Sequence, residues 1–267
     1  MRFRLRALAA FGCLAIIASS STTYSATIYS DDFSGSGAVL LNGTAPDVRP
    51  GSETWSAAIS TAANDDRRWY ANGSKPASTT STSGSAGLGN GNAFLPFVPE
   101  TGKIYTLSIL LDPQTVAGTR TDDWFAFGFM PSTATTTAVW PTAATNPWVF
   151  LRVDNTHASA LAFGGGSPSS VGSAPAGPLN LEIVLNTQSA QWTVDYFVGG
   201  AVTPASSLTY GTNPTITQVG FGAFRQAIGT VDNFSLTVVP EPTSIFLVFC
   251  SAMALGLIRT RRGRQVA

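Results

Sequence analysis

Alternation of hydrophobic and polar residues is the main structural signal along this chain. Residues 179–185 place leucine or isoleucine at every second position, and after a short turn at 187–190 the alternation resumes over 192–198. Successive side chains of a strand point to opposite faces, so this stretch predicts an antiparallel hairpin with one buried and one solvated face. Aromatic residues occupy both phases at 124–130, which predicts a central strand covered on both faces.

Further strands are predicted where β-branched and aromatic residues lie between Gly, Pro, Asn or Asp turn signals. They cover residues 27–33, 55–59, 92–98, 104–111, 218–224 and 231–239. The segment 78–92 is almost entirely Ser, Thr, Gly and Ala, and is predicted to be a loop. Many short strands, with no long amphipathic helical pattern between them, predict one all-β domain built as a two-sheet antiparallel β-sandwich.

The N-terminus has a different pattern. Three arginines precede an apolar stretch at 7–18, and small polar residues follow. This is the order of a secretory signal peptide, which forms a helix and is removed from the mature chain. We expect the mature chain to begin between Ser20 and Thr27.

The apolar run from Ile245 to Ile258 near the C-terminus has two interpretations. It is shorter than the roughly 20 residues that span a bilayer comfortably, which would suit a buried core helix. Pro240 and Pro242 separate it from the last strand, however, and basic residues follow it, which favours a transmembrane helix with a cytoplasmic tail. Those basic residues are Arg259, Arg261, Arg262 and Arg264.

Charge and rare residues exclude several functions. The formal net charge is zero, but acids outnumber bases between residues 27 and 239, so a nucleic-acid partner is not expected. Cys13 and Cys250 lie in the two apolar ends, which leaves the sandwich without a disulfide or a thiol nucleophile. His157 is the single histidine, so neither a zinc site of the usual form nor a Ser-His-Asp arrangement can be assembled.

The C-terminal segment carries a specific motif. Pro240-Glu241-Pro242 is followed by Thr243-Ser244, the apolar run and the arginine-rich tail, and this order resembles the PEP-CTERM sorting signal of bacterial exported proteins. The resemblance implies export by the secretion machinery, recognition by an exosortase at the inner membrane, removal of the tail near Pro-Glu-Pro, and delivery to the cell surface or extracellular matrix. We therefore divide the chain into a signal peptide (1–26), a sandwich domain (27–238) and a sorting segment (239–267).

A second resemblance covers residues 27–238. Its motifs are LNGTAPD at 41–47, Trp55, AFLPF at 93–97, YTL at 105–107, WFAFGF at 124–129 and VDNFS at 231–235. Taken in this order they look like the concanavalin A-like, laminin G-like jelly-roll domains that often precede the sorting signal. The family contains lectins, hydrolases and domains with no assigned ligand, so the resemblance does not decide the function.

Glycan hydrolysis on such a sandwich needs two carboxylates close together on one face. Glu182 is the one glutamate on a clearly predicted strand, and its neighbours Asn180, Val184 and Asn186 on the same face carry no carboxylate. A solvated strand face is the simpler interpretation of Glu182. We therefore expect the sandwich not to be an enzyme.

Two dipeptides with oxygen-bearing side chains suggest a calcium ion. Asp31-Asp32 ends the first predicted strand, and Asp232-Asn233 lies in the last one. First and last strands are neighbours in many sandwiches, so Asp32 and Asp232 are the candidate ligands for a structural calcium ion. Side chains that only cap the strand ends are the alternative.

The candidate ligand-binding residues are tryptophans and a second acidic pair. Trp69, Trp140 and Trp148 lie outside the predicted core pattern, and an exposed indole can stack on a sugar ring. Asp122 and Asp123 precede an aromatic strand, where carboxylates can bind sugar hydroxyls or calcium. The alternatives are tryptophans that cover the sandwich edges and a polar turn with a surface ion pair.

These observations favour an exported surface or matrix protein whose sandwich binds exopolysaccharide and which passes through a membrane-anchored intermediate. Two alternatives stay open: an extracellular glycan hydrolase, and a purely structural matrix protein with no ligand.

Overall fold

The computed structural model describes residues 25–34, 38–57, 69–72, 75–78, 90–114, 124–132, 146–153, 158–163, 169–174, 177–224 and 228–239. Within these ranges the chain forms strands and connecting turns, and no helix there is long and apolar enough to cross a membrane. The strands are β1 (Ala26–Asp31), β2 (Ala38–Leu40), β3 (Ser56–Ala57), β4 (Trp69–Asn72), β5 (Lys75–Ser78), β6 (Asn90–Pro96), β7 (Ile104–Gln114), β8 (Trp124–Met130), β9 (Trp148–Val153), β10 (Ala158–Phe163), β11 (Ser169–Ala174), β12 (Leu179–Asn186), β13 (Thr193–Val198), β14 (Ser206–Thr209), β15 (Gln218–Phe224) and β16 (Ile228–Val239).

The strands form two antiparallel sheets. Sheet A has nine strands in the order β14-β13-β12-β7-β16-β5-β4-β2, with β1 also paired to β16. Sheet B has seven, in the order β11-β10-β9-β8-β15-β6-β3. The predicted two-sheet antiparallel sandwich is therefore confirmed, and so is the pairing of the first strand with the last. Residues Ala26–Val238 form one compact unit.

The hairpin β12–β13 has the predicted alternation. Leu181, Ile183 and Leu185 are buried, whereas the residues between them are partly exposed. The register pairs Ile183 with Tyr196 and Val184 with Asp195. Inward residues of this hairpin join those of sheet B in a single core, because burial of one face is what stabilises a two-layer sandwich.

Strand β8 lies in the middle of sheet B, between β9 and β15. Residues 125–130 are all buried, so both faces of the strand are covered, as the sequence predicted. Phe125, Phe127 and Phe129 belong to the core between the sheets. The outward residues Ala126 and Met130 are buried as well but lie outside that core cluster.

An aromatic cluster joins the two sheets at one end of the core. The indole of Trp55 lies 5.0 Å from the ring of Phe234 in β16 and 5.3 Å from the ring of Phe221 in β15, measured between centroids. Phe33 contacts the same indole at 5.8 Å. Because these rings come from both sheets, they fix the distance between the layers and bury the loop that carries Trp55.

Several predictions fall outside the described residues. The signal helix, the transmembrane helix, the motif Pro240-Glu241-Pro242 and the four tail arginines all lie there. Among the described residues one expectation is corrected. Trp148 is not part of a proline-rich excursion but opens β9, where its indole is fully buried. A buried indole offers no exposed surface for stacking on a sugar.

Candidate functional site

Glu182 lies on the outward face of sheet A. Its neighbours along β12, Leu181 and Ile183, point into the core, so alternation turns the glutamate away from it. The side chain is nevertheless partly buried, and this burial raises the pKa of Glu182 above its ordinary value. A carboxyl group with a raised pKa keeps its proton to higher pH than a solvated one, which is the property of a general acid.

Asp195 lies on the same outward face, one strand away. The register places Phe197 of β13 directly opposite Glu182, and Asp195 two residues before Phe197. Glu182 and Asp195 are therefore diagonal neighbours, whose Cα atoms lie about 7–8 Å apart in a regular antiparallel pair. The Ser207 hydroxyl on β14 donates a hydrogen bond to Asp195 Oδ1, which fixes the orientation of that carboxylate.

The surroundings of this carboxylate pair are mixed in polarity. Phe197 is partly exposed on one side of Glu182, and Ser108 of β7 lies opposite Glu182 on the other side. Thr106 and Asp195 flank Val184 in the next row across the sheet. An aromatic ring, hydroxyl groups and two carboxylates thus share one outward surface, a combination that can contact both faces and hydroxyls of a sugar.

Glycosidases use two carboxyl groups, about 5–5.5 Å apart in retaining enzymes and about 6.5–9.5 Å apart in inverting ones. Side chains on diagonal positions reach either spacing, depending on their rotamers. Glu182 and Asp195 thus occupy diagonal positions on one face of sheet A, an arrangement from which two carboxyl groups can reach a glycosidic bond.

A second acidic group lies at the end of β1. One carboxylate oxygen from each of Asp31, Asp32 and Asp47 lies within 4.8 Å of the others. Asp31 is buried, and the other two are exposed. An isolated bridge between Ser30 and Val48 brings the loop with Asp47 next to β1. We call these three residues the acidic cluster.

Hydrogen bonds already occupy much of the acidic cluster. Asp31 accepts from Trp55 Nε1 at 2.6 Å and from the Phe33 amide at 2.8 Å, and Asp47 Oδ2 accepts from the Asp32 amide at 2.9 Å. Burial raises the pKa of Asp31 to about 6, against the lowering effect of those two donors. Exposed carboxylate oxygens of Asp32 and Asp47 suit a hard cation. Calcium at this position stays a prediction.

The structure places the residues predicted from the sequence in different parts of the sandwich. Asp32 belongs to the acidic cluster, but Asp232 in β16 does not, and Asp47 takes its place. Trp69 opens β4, where only the backbone is described. Asp122, Asp123 and Trp140 lie outside the described residues.

Two acidic residues in these groups were missed. Asp195 lies on β13 and Glu182 on β12, so alternation along a single strand does not bring their carboxylates together. The register across the short 187–190 turn is the signal that brings the two strands' carboxylates together. Asp47 had no comparable signal, since it lies in a loop and its position depends on the bridge between Ser30 and Val48.

The chain is similar to several solved structures. An endo-1,3-beta-glucanase from Streptomyces sioyaensis matches with a TM-score of 0.58 and 13% identity, over 84% of this chain and 99% of that chain. The carbohydrate recognition domain of Emp47p has a TM-score of 0.45 and 12% identity, over 83% of this chain and 99% of that chain. A family 16 glycosyl hydrolase from Mycobacterium smegmatis has a TM-score of 0.45 and 13% identity, over 79% and 100%.

No protein-family model matches the chain, and no curated protein matches it either. At these identities the structural likeness shows the fold, and it confirms the predicted concanavalin A-like sandwich at that level. It also corrects the expectation that the sandwich is not an enzyme. The chain adopts the fold of a glucanase, and the absence of a second carboxylate near Glu182, on which that expectation rested, is contradicted by Asp195.

Proposed function

We propose that the sandwich is an extracellular glycan hydrolase, with Glu182 and Asp195 as its catalytic carboxylates. The observation that carries the proposal is their placement as diagonal neighbours on the outward face of sheet A. The likeness of the fold to an endo-1,3-beta-glucanase supports the same class of reaction and makes β-1,3-glucan the first substrate to test.

The two carboxyl groups have different roles. Burial keeps Glu182 protonated to higher pH, so Glu182 donates its proton to the glycosidic oxygen as the bond to the anomeric carbon breaks. The carboxylate of Asp195 has one of two roles: it attacks the anomeric carbon to form a glycosyl-enzyme ester, which water then hydrolyses with Glu182 as the base, or it takes a proton from the water that attacks the anomeric carbon. Phe197 lies opposite Glu182 and provides an apolar surface for the sugar ring next to the scissile bond.

Replacing Glu182 tests this proposal most directly. Glu182→Gln keeps the shape of the side chain and removes its proton, so release of reducing sugar from β-1,3-glucan should fall by roughly a hundredfold or more. Asp195→Asn should have an effect of similar size. Glu100→Gln is the matched control, because Glu100 is exposed and its described hydrogen bonds involve only its backbone.

The pH profile gives a second readout. The acid must be protonated, so activity should decline as pH rises through the elevated pKa of Glu182, and this alkaline limb should be absent from residual activity in Glu182→Gln. Equal activity of Glu182→Gln and Glu100→Gln on a panel of β-glucans would contradict the proposal.

We also propose that the chain is exported and sorted by an exosortase to the cell surface or matrix. The support is the order of Pro240-Glu241-Pro242, the apolar run and the arginine tail, together with the N-terminal signal pattern. Cells carrying one tag inside the sandwich and one at the C-terminus provide the test. Recovery of only the first tag at the surface is expected, whereas retention of both in the inner membrane would contradict removal of the tail.

A further inference from the structure

A cleft of about 360 Å³ opens on sheet B, at the edge formed by β3, β6 and β15. We propose that this neutral cleft binds an uncharged segment of the glycan and holds the protein on its polymer, away from the carboxylate pair. The proposal rests on the proposed function in supposing that the ligand is a glycan. The existence of the cleft does not depend on that function, since its lining residues define it.

The walls of the neutral cleft are held by paired backbone. Ser56 of β3 pairs with Phe94 of β6, and Gln218 of β15 pairs with Pro96. The Thr217 amide donates to Met130 O at 3.0 Å, and Thr217 O accepts from the Phe97 amide at 2.9 Å. A site on such rigid elements does not have to be ordered when a ligand arrives, so less affinity is lost.

The chemistry of the cleft is that of a neutral sugar site. Hydroxyl groups come from Thr54, Ser56, Ser132 and Thr217, and Gln218 contributes an amide. Phe94 and Pro96 supply apolar surface, which suits the C–H face of a pyranose ring. None of the lining residues that the structure describes is ionisable, so these walls carry no charge that would attract an acidic or a basic ligand specifically.

Two lining residues have hydrogen-bonding capacity left over. Thr217 Oγ1 and Gln218 Oε1 are buried and form no hydrogen bond with the residues that the structure describes. Buried polar atoms are nearly always paired in folded proteins, and an unpaired one is costly. A hydroxyl-rich ligand in the cleft can supply the missing partners after a small change of rotamer, which favours a glycan over an apolar ligand.

The neutral cleft and the carboxylate pair lie on different sheets. Phe94 is partly exposed beside the buried core residues Ala93 and Leu95 on β6, so its ring faces outward from sheet B. Glu182 faces outward from sheet A. The two outward faces of a sandwich point in opposite directions, so a sugar in the cleft does not contact the carboxylates, and occupancy of the cleft is separable from cleavage.

Filling the cleft is the test. Ser132 is an exposed turn residue, so Ser132→Trp blocks the cleft with little risk to folding. Val202→Trp, at a position 96% exposed, is the matched control. Full-length chains that carry Glu182→Gln, which slows cleavage under the proposed function, are run through native gels containing soluble β-1,3-glucan or its carboxymethylated, anionic derivative.

We expect the neutral glucan to retard the Glu182→Gln chain and the Val202→Trp control equally, and Ser132→Trp to lose roughly tenfold or more in apparent affinity. The anionic derivative should bind more weakly than the neutral polymer. Gln218→Ala should weaken binding as well, through a different contact. Equal retardation of Ser132→Trp, Gln218→Ala and the control would overturn the proposal, and so would absence of retardation by any neutral β-glucan tested.

The outcome is separable from that of the proposed function. Loss of binding in Ser132→Trp with cleavage of short oligosaccharides unchanged supports both proposals. Binding that depends on Ser132, without any cleavage by the unsubstituted chain, supports the cleft and contradicts the hydrolase. Cleavage that depends on Glu182, with binding unaffected by Ser132→Trp, supports the hydrolase and contradicts the cleft.

Discussion

The strands of the two sheets differ in the charges that they carry. Those of sheet A hold five carboxylates, whereas the seven strands described in sheet B hold none. The five are Asp31, Asp112, Glu182, Asp195 and Asp232. The carboxylates that we propose as catalytic therefore lie on sheet A, whereas the cleft that we propose as a glycan site lies on sheet B, whose described strands carry no carboxylate.

Burial explains this difference. On sheet B the outward side chains of Ala126, Met130, Trp148 and Phe150 are buried, so a carboxylate in their place would lose its hydration without gaining a partner. On sheet A the outward side chains of the β12–β13 hairpin are partly exposed. There a carboxylate keeps part of its solvation, and moderate burial shifts its pKa without excluding the charged form.

Gly220→Ala, in the middle of sheet B, tests how closely the central strands of that sheet are packed. A Cβ atom at Gly220 would collide with the carbonyl oxygen of Ala93 and would lie 2.7 Å from Phe94 Cα. Both obstacles are backbone, so they cannot move aside, and we expect a loss of about 3 kcal/mol in the free energy of unfolding, at the upper end for overpacking.

Gly211→Ala is the control for Gly220→Ala, because nothing lies within 4 Å of a Cβ added there. Its stability should stay within about 0.5 kcal/mol of the unsubstituted chain. The measurement is the midpoint of urea unfolding at constant m-value. Coincident midpoints for the two variants would show that the central strands of sheet B are not packed as closely as the structure has them.

The pH dependence of stability tests whether burial raises the pKa of a carboxylate in sheet A. Asp31 has a folded-state pKa of about 6, raised from 3.8 mainly by burial. The folded state therefore binds a proton that the unfolded state releases, and the stability that this provides below pH 4 is lost as pH rises through 6. Between pH 5 and pH 7 the loss should be about 1 kcal/mol.

Asp31→Asn removes this titration and keeps an oxygen that accepts from Trp55 Nε1. The difference in unfolding free energy between Asp31→Asn and the unsubstituted chain should therefore change with pH over that window, as measured by urea unfolding at pH 5, 6 and 7. A constant difference would mean that Asp31 is ionised throughout and that its two donors outweigh its burial.

The sequence predicted the parts of this comparison that depend on local pattern. The β12–β13 hairpin and the doubly covered β8 were both recognisable from the phases of their apolar residues. Strands β9, β10 and β11 were not, because β9 follows a proline-rich stretch and β11, SSVGSA, has little intrinsic β propensity. Pairing with a neighbour in the sheet, rather than propensity, is what makes such a segment a strand.

Sites built from several strands were harder to predict than the strands. Glu182 and Asp195 lie 13 positions apart in the chain, and they become neighbours only when the register of the hairpin is fixed. The neutral cleft joins residues near 54, 94, 132 and 217, whose proximity depends on strand order in sheet B. Nothing in the local sequence pattern of these four segments indicates that they meet.

The smallest effect concerns the acidic cluster at the end of β1, where a cation would compete with the proton on Asp31. Hydrogen bonds already engage Asp31, Asp32 and Asp47, so we expect weak binding, with a Kd of about 1 mM as in extracellular calcium modules. Calcium at twice that concentration should then stabilise the fold by about 0.6 kcal/mol. The melting temperature should rise by about 1–2 °C. Asp47→Asn should abolish the rise and magnesium should not reproduce it, whereas a melting temperature insensitive to both calcium and chelator would show that the acidic cluster does not bind a cation.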